Sequence, residues 1–217
     1  MSLNLENLPA SPATRGRAPK LMTARRRRLW LVVVTLLLAG AAASLFVLRY
    51  QPLEPGPWGG DVRADSEVWT SQAAQAVLVE FEHGATMSYG FSLRNDGLLA
   101  ITITELHPGE DGSTCGFFPT SVRGVSGTGS AVYKAATTLQ PLPLTVAPGA
   151  HARIEVEGRL GDPALGTCHF DGVRMALSSI PATVRVAWMS HHAELPIDYT
   201  IGWGRNVEDY LTPGHDR

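Results

Sequence analysis

The chain has 217 residues, 18 of them Lys or Arg and 20 Asp or Glu, with a formal net charge of −2. That near-neutral total hides a dipole: up to Arg28 there are seven bases and one acid, net +6, and from Arg49 onward eleven bases face nineteen acids, net −8. The acidic part excludes nucleic acid as a partner, because a polyanion would be repelled rather than condensed. Sixteen arginines against two lysines, Lys20 and Lys134, with many alanines, suggest a GC-rich bacterial genome.

Residues 1–28 read as a disordered basic tail. Met1 to Ala24 mixes Pro9, Pro12, Pro19 and Gly16 with small polar residues and has no apolar periodicity, so folding would not offset its ordering entropy. The tail ends in Arg25, Arg26, Arg27 and Arg28. These arginines serve as a topology determinant, since basic residues in short flanking segments resist translocation.

Residues 29–48 (LWLVVVTLLLAGAAASLFVL) carry no charge. At about 1.5 Å of rise per residue, twenty residues span the roughly 30 Å of a bilayer's hydrocarbon core. They read as one transmembrane helix, N-terminus in the cytoplasm and C-terminal domain outside. A cleaved signal peptide is the competing reading, because Ala41-Ala42-Ala43-Ser44 offers a small-residue cleavage site. Against it, the run exceeds the h-region of a signal and continues through Leu45 to Leu48. No cysteine follows the helix closely, which excludes a lipoprotein anchor. Small residues four apart, Gly40 with Ser44 and Ala39 with Ala43, would permit weak self-association through the helix.

Residues 49–66 read as a linker rich in Pro and Gly (Pro52, Pro55, Pro57, Gly59, Gly60), an extended spacer of at most about 40 Å with a swivel at the glycines. From 67 to 203 the pattern changes to period two. Val77, Val79 and Phe81 alternate with more polar neighbours, then Met87, Tyr89, Phe91 and Leu93 after the turn His83-Gly84-Ala85. Asn95-Asp96-Gly97 supplies the next turn, with Gly97 expected at positive φ, and Leu99, Ile101 and Ile103 follow. His107 to about Gly129 reads as a loop, flexible over Gly124 to Ser130. Beyond it come Leu142, Leu144 and Val146, the turn Pro148-Gly149, Ile154 and Val156, then apolar alternations at Val173 to Leu177, Val184 to Trp188 and Leu195 to Ile201. Seven to nine short strands without an amphipathic helix predict an all-β, immunoglobulin-like antiparallel sandwich, closed by a C-terminal tail over 204–217. About 140 residues suffice for such a core without further support.

Cys115 and Cys168 are the only cysteines, and both fall in the part that the anchor would export. An oxidising compartment and the absence of a CxxC spacing predict that they pair as a structural disulfide.

The stretch from Phe91 through Asn95, Gly97 and Ile101 to Ile103, with Leu144-Thr-Val-Ala-Pro-Gly downstream, resembles bacterial immunoglobulin-like modules grouped with ASH and major-sperm-protein domains. The resemblance implies a sandwich serving as a non-catalytic scaffold or adhesion-type module, and it supplies no catalytic residues.

No nucleophile elbow, HExxH, P-loop or SxxK motif is present, so the expectation is a protein that is not an enzyme and needs no cofactor. The acids Glu80, Glu82, Glu155 and Glu157 fall on outward strand positions. The strongest chemical alternative is a copper or zinc site built from Met189, His191 and His192, with His83, Met87 or Met175 in support, since imidazole and thioether ligands suit copper in exported sandwiches. The competing reading makes Ser190-His191-His192 a hairpin tip and Met87 and Met175 core residues. Trp188 and Trp203 read as core by register, and Trp58 as an interfacial residue of the linker. The leading expectation is a single-pass membrane protein that displays its sandwich to another envelope protein, met by strand addition at a sheet edge or through the loops. An envelope copper-delivery factor is the alternative, and a hydrolase with a spatially assembled site a third.

Overall fold

The computed structural model describes residues 24–57, 60–72, 75–108, 115–134, 137–161, 168 and 172–207. The chain forms two compact units, Met1–Ala43 and Ser44–Arg217. Within the described part of the first, helix α1 (Ala24–Leu48, its last turn belonging to the second unit) opens on Arg25 to Arg28 and is apolar on all sides from Leu29 onward. Its one hydroxyl-bearing residue before Ser44, Thr35, donates to the Leu31 carbonyl at 2.9 Å, which removes the polar group from the helix surface. Residues Arg26–Leu48 are long and apolar enough to cross a membrane. The helix closes with the amides of Arg49 and Tyr50 bonded back to Leu45, Phe46 and Val47, and Pro52 prevents its continuation.

The second unit is a sandwich of two six-stranded sheets. In chain order the strands are β1 (Leu53–Pro55), β2 (Val62–Ala64), β3 (Val68–Ser71), β4 (Ala76–Glu80), β5 (Thr86–Asn95), β6 (Ile101–Leu106), β7 (Phe117–Gly127), β8 (Gln140–Pro141), β9 (Leu144–Val146), β10 (His151–Leu160), β11 (Gly172–Val186) and β12 (Met189–Arg205). One sheet runs β1-β5-β10-β7-β8, with β2 also on β5, and the other runs β3-β4-β12-β11-β6-β9. Every pairing is antiparallel except β4 with β12. The all-β sandwich preceded by one long apolar helix is therefore the fold.

The core follows the alternation. Met87, Tyr89, Phe91 and Leu93 of β5 and Ala152, Ile154 and Val156 of β10 are buried against Ile101 and Ile103 of β6, Val184 and Val186 of β11 and Trp203 of β12. Each fully buried aromatic contributes a few kcal/mol at about 25 cal/mol per Å² of apolar surface. Tyr89, Phe117 and Trp203 form a chain of tilted rings with centroids 5.5 and 6.1 Å apart.

Four segments differ from the sequence reading. The stretch from 49 to 66 is not a free spacer. β1 and β2 both pair with β5, and Leu53 is buried. Proline is tolerated there because these are edge strands, where a missing N–H breaks no ladder. Gly56 and Gly60 serve close approach: a Cβ on Gly56 would strike Ser92, and Gly60, at φ +80°, lies against the Gly90 carbonyl, while Trp58 and Gly59 lie outside the described residues.

Second, residues 117–127 form an eleven-residue strand instead of a loop, paired along β10. Its inward positions opposite Ile154 and Ala152 are Gly124 and Ser126, so no apolar alternation marks it. Gly124 is small because Leu144 and the Arg153 carbonyl occupy the space of a side chain. A register shift opposite Glu157 and Gly158 leaves Thr120 as the extra residue, and its hydroxyl donates to the Glu157 carbonyl at 3.1 Å. The rest of the expected flexible stretch enters a short 3-10 helix, Gly129–Tyr133.

Third, the β11–β12 hairpin turns at Ala187-Trp188, with Val186 opposite Met189, so His191 and His192 lie within β12 and not at its tip. Trp188 is 75% exposed and is no core residue, whereas Trp203 is fully buried. Fourth, β12 continues to Arg205 and Val207 is buried, so the sandwich extends past residue 203.

Of the turns, those at Gly84 and Gly149 form as expected, and both glycines take positive φ, at +82° and +70°. Gly97 does not. It is small because a Cβ would strike Tyr50 and Pro52.

Candidate functional site

One end of the sandwich gathers the chain after the helix and three turns. Its centre is Asn95, the last residue of β5 and fully buried. The Asn95 Nδ2 donates to the carbonyls of Leu99 and Val146, both at 2.9 Å, and its Oδ1 accepts the Gly97 amide at 3.0 Å. The backbone of Asn95 is bonded to Ala150 and Gly149 of the Pro148-Gly149 turn. One side chain thus satisfies the orphan groups of two turns that bridge the two sheets, which a buried turn requires.

Tyr50 joins the same cluster from the helix side. Its hydroxyl accepts hydrogen bonds from the amides of Leu98 and, at 2.9 Å, Leu99. The Asp96 amide donates to the Pro52 carbonyl at 3.1 Å, and Val47 is buried within the sandwich core. Arg94 and Asp96 form an ion pair at the surface of this end, which holds the Asp96 carboxyl below the ordinary carboxylate range.

The opposite end carries the disulfide. Cys115 and Cys168 are bridged, with Cα atoms 5.6 Å apart. The Trp203 indole N–H donates to the Cys115 carbonyl at 3.2 Å, so the bridge rests on the aromatic chain of the core. The segments 109–114 and 162–167 that precede the two cysteines lie outside the described residues. Glu80 closes this end by accepting the amides of Asn206 and Val207 at 3.2 and 3.4 Å.

The expected copper ligands do not converge. Met189 and His191 stand opposite Val186 and Val184, both buried, and share their inner face, while His192 stands opposite Thr183 and points outward. Successive strand residues face opposite ways, so His191 and His192 serve different surroundings. His192 sits near His107, ring centroids 6.4 Å apart, and His107 lies 3.3 Å from the Thr183 hydroxyl. Neither ring nitrogen of His191 has a partner among the described residues, and burial, followed by the nearby His192, pushes its pKa down. Met87 is fully buried in the core. The side chain of Met175 lies outside the described set, as does that of Arg25; Arg26, Arg27 and Arg28 are exposed at the helix start. Among the described residues, no group of three His, Cys, Asp or Glu is arranged to hold a metal ion.

With this geometry in view, the chain was compared with known proteins. No protein-family model and no curated protein sequence matches it. The two turns that carried the likeness to ASH and major-sperm-protein modules do form, at Asn95 and at Gly149, but what stands is the sandwich and not the family.

Sequence reasoning missed Tyr50 and the depth of Asn95. The signal available for Asn95 was its place in an Asn-Asp-Gly turn, which reports local turn chemistry and not burial. For Tyr50 there was none, because its partner is 49 residues away.

Proposed function

We propose that this is a single-pass membrane protein, N-terminus in the cytoplasm, that holds its sandwich outside the cytoplasmic membrane as a non-catalytic protein-binding or envelope-assembly module. The observation that carries the reading is the apolar helix Arg26–Leu48, set between a tail of net +6 and a following part of net −8. The Cys115–Cys168 bridge supports an oxidising, extracytoplasmic side for the domain. Glu155 and Glu157 lie on outward positions of β10, where Arg153 pairs with Glu155 and the half-exposed Arg123 with Glu157.

Loops are favoured over strand addition as the means of contact. The outer strands β1, β2, β3, β8 and β9 have two to four residues each, too little backbone for a long added strand.

Membrane fractionation tests the anchor. The full-length chain should stay with membranes through alkaline carbonate, retain its N-terminus, and expose the sandwich to protease only from outside. Recovery of a soluble chain beginning near Ser44 would overturn it. Cross-linking in intact cells with mass spectrometry tests the binding role: an envelope protein joined to sandwich residues is expected, and a sandwich that joins to no protein refutes it.

A further inference from the structure

Among the described residues of the strands and their turns, two large apolar side chains are exposed. Leu98 is 87% exposed and Trp188 is 75% exposed. Both sit on turns, Leu98 between β5 and β6 and Trp188 between β11 and β12. The register brings these turns together: Ile101, which follows the first, pairs with Val186, which precedes the second. Leu99, Ala100, Thr102, Arg185, Ala187 and Trp188 line one open hollow of about 460 Å³ between them.

Folding does not account for the residues at this tip. A two-residue hairpin turn favours Asn-Gly or Asp-Gly, because the central positions need positive φ. Here Ala187 takes φ +53°, in a region that alanine disfavours, and is followed by the most water-averse of the large aromatics. The two neighbouring turns thus present an exposed leucine and an exposed tryptophan at one end of the sandwich.

Position along the chain bears on what these side chains meet. The apolar run ends at Leu48, and Ser44 to Leu48 belong to the sandwich's own compact unit. Two residues later the Tyr50 hydroxyl is bonded to the amides of Leu98 and Leu99. The turn that presents Leu98 is therefore fastened directly to the exit of the run, with no spacer between them. Within the sandwich's own unit, the chain just after Leu48 is thus tied to this turn, and the β6–β11 pairing sets the Trp188 turn next to it.

We propose that this end of the sandwich rests in the headgroup region of the membrane, with Trp188 and Leu98 inserted at the boundary between headgroups and acyl chains. Tryptophan favours that boundary, where its ring is buried and its N–H stays wet. Arg185 at the rim of the hollow and Arg49 at the end of the run are exposed and placed to meet lipid phosphates. The sandwich is then held in one attitude on the membrane, and the disulfide end faces away from it.

This inference rests on the anchored reading above, and one experiment separates the two. The full-length chain is reconstituted into phosphatidylcholine and phosphatidylglycerol vesicles, with and without lipids brominated near the headgroup. Tryptophan emission is recorded for the natural chain, for Trp188→Phe and for Trp30→Phe, so that each difference isolates one indole. Brominated lipid should remove most of the Trp30 component and most of the Trp188 component. Quenching of Trp30 without Trp188 overturns the seating and leaves the anchor standing. A Trp188 component that escapes bromine and shifts to the blue as protein per vesicle rises shows a second copy over the patch, and likewise overturns it. Loss of quenching at both positions defeats the anchor and the seating together. Trp188→Phe replaces an exposed ring by a similar one, so the variant keeps its fold.

Discussion

At the Tyr50 end of the sandwich, a buried amide side chain and a phenol hydroxyl hold two turns and the chain after the helix together; at the other end a covalent bridge backed by Trp203 does the same work. The polar cluster depends on being dry and fully satisfied, since each buried group left without a partner costs about 1–3 kcal/mol. The bridge depends on the redox state of its compartment. The two ends should therefore fail under different insults, and each failure should begin locally.

The largest effect comes from the bridge. Its two cysteines are 53 residues apart, and closing such a loop is worth about 4 kcal/mol on the chain-entropy account. Reduction, or the Cys115→Ala/Cys168→Ala pair, should lower the urea midpoint accordingly. Hydrogen exchange should rise first in Phe117 to Thr120 and around Trp203, while the Asn95 amide stays protected. Simultaneous loss of protection at both ends would break the contrast.

Next comes Asn95→Ala. It strands the Leu99 and Val146 carbonyls and the Gly97 amide, at a cost of roughly 3 kcal/mol. Denaturation should show this loss undiminished under reducing conditions, because sites without shared partners add. A strong coupling between Asn95→Ala and reduction would mean that the two ends are one cooperative unit.

A smaller effect is expected where the helix exit meets the cluster. Tyr50→Phe removes the acceptor of two amides and should cost about 1 kcal/mol. Gly97→Ala places a methyl group against the same hydroxyl and against Pro52, and should cost a similar amount by displacing Tyr50. The double variant should be little worse than the worse single one, measured by a thermodynamic cycle. Full additivity would show that Gly97 guards something other than Tyr50.

The same contrast marks what could be read from the residues alone. The two cysteines were legible because their meaning comes from number and compartment, and both are present in the linear text. β5 and β10 were legible because apolar residues recur at alternate positions, Met87 to Leu93 in one and Ile154 with Val156 in the other. β7 was hidden because Gly124, kept small by Leu144 and the Arg153 carbonyl, and Ser126 take inward positions, and the extra Thr120 breaks the period. β1 and β2 were hidden for the opposite reason, since their prolines speak for a linker while edge strands accept them. The Ala187-Trp188 turn carries none of the usual turn residues, so the neighbouring Ser190, His191 and His192 drew the assignment. Long-range partners such as Tyr50 with Leu99 leave no local pattern at all.

The gentlest probe is acid. His191 stands on the inner face near the β11–β12 turn, and its pKa is lowered by desolvation and by His192. An imidazole whose folded pKa lies below its unfolded value of about 6.5 contributes stability that is complete above that value. The contribution fades as pH falls through the folded pKa, because the unfolded chain takes up the proton first. The melting temperature should therefore drop modestly from about pH 7.5 to about pH 5.5, and His191→Leu should flatten that drop while the outward-facing His192→Gln leaves most of it. Acid should also raise hydrogen exchange near Met189 and Ala193 before it touches Phe117. If His191→Leu leaves the pH slope unchanged, the inward imidazole is not the acid-sensitive group. The contrast between ends would then rest on redox state and hydrogen bonding, without a proton-linked part.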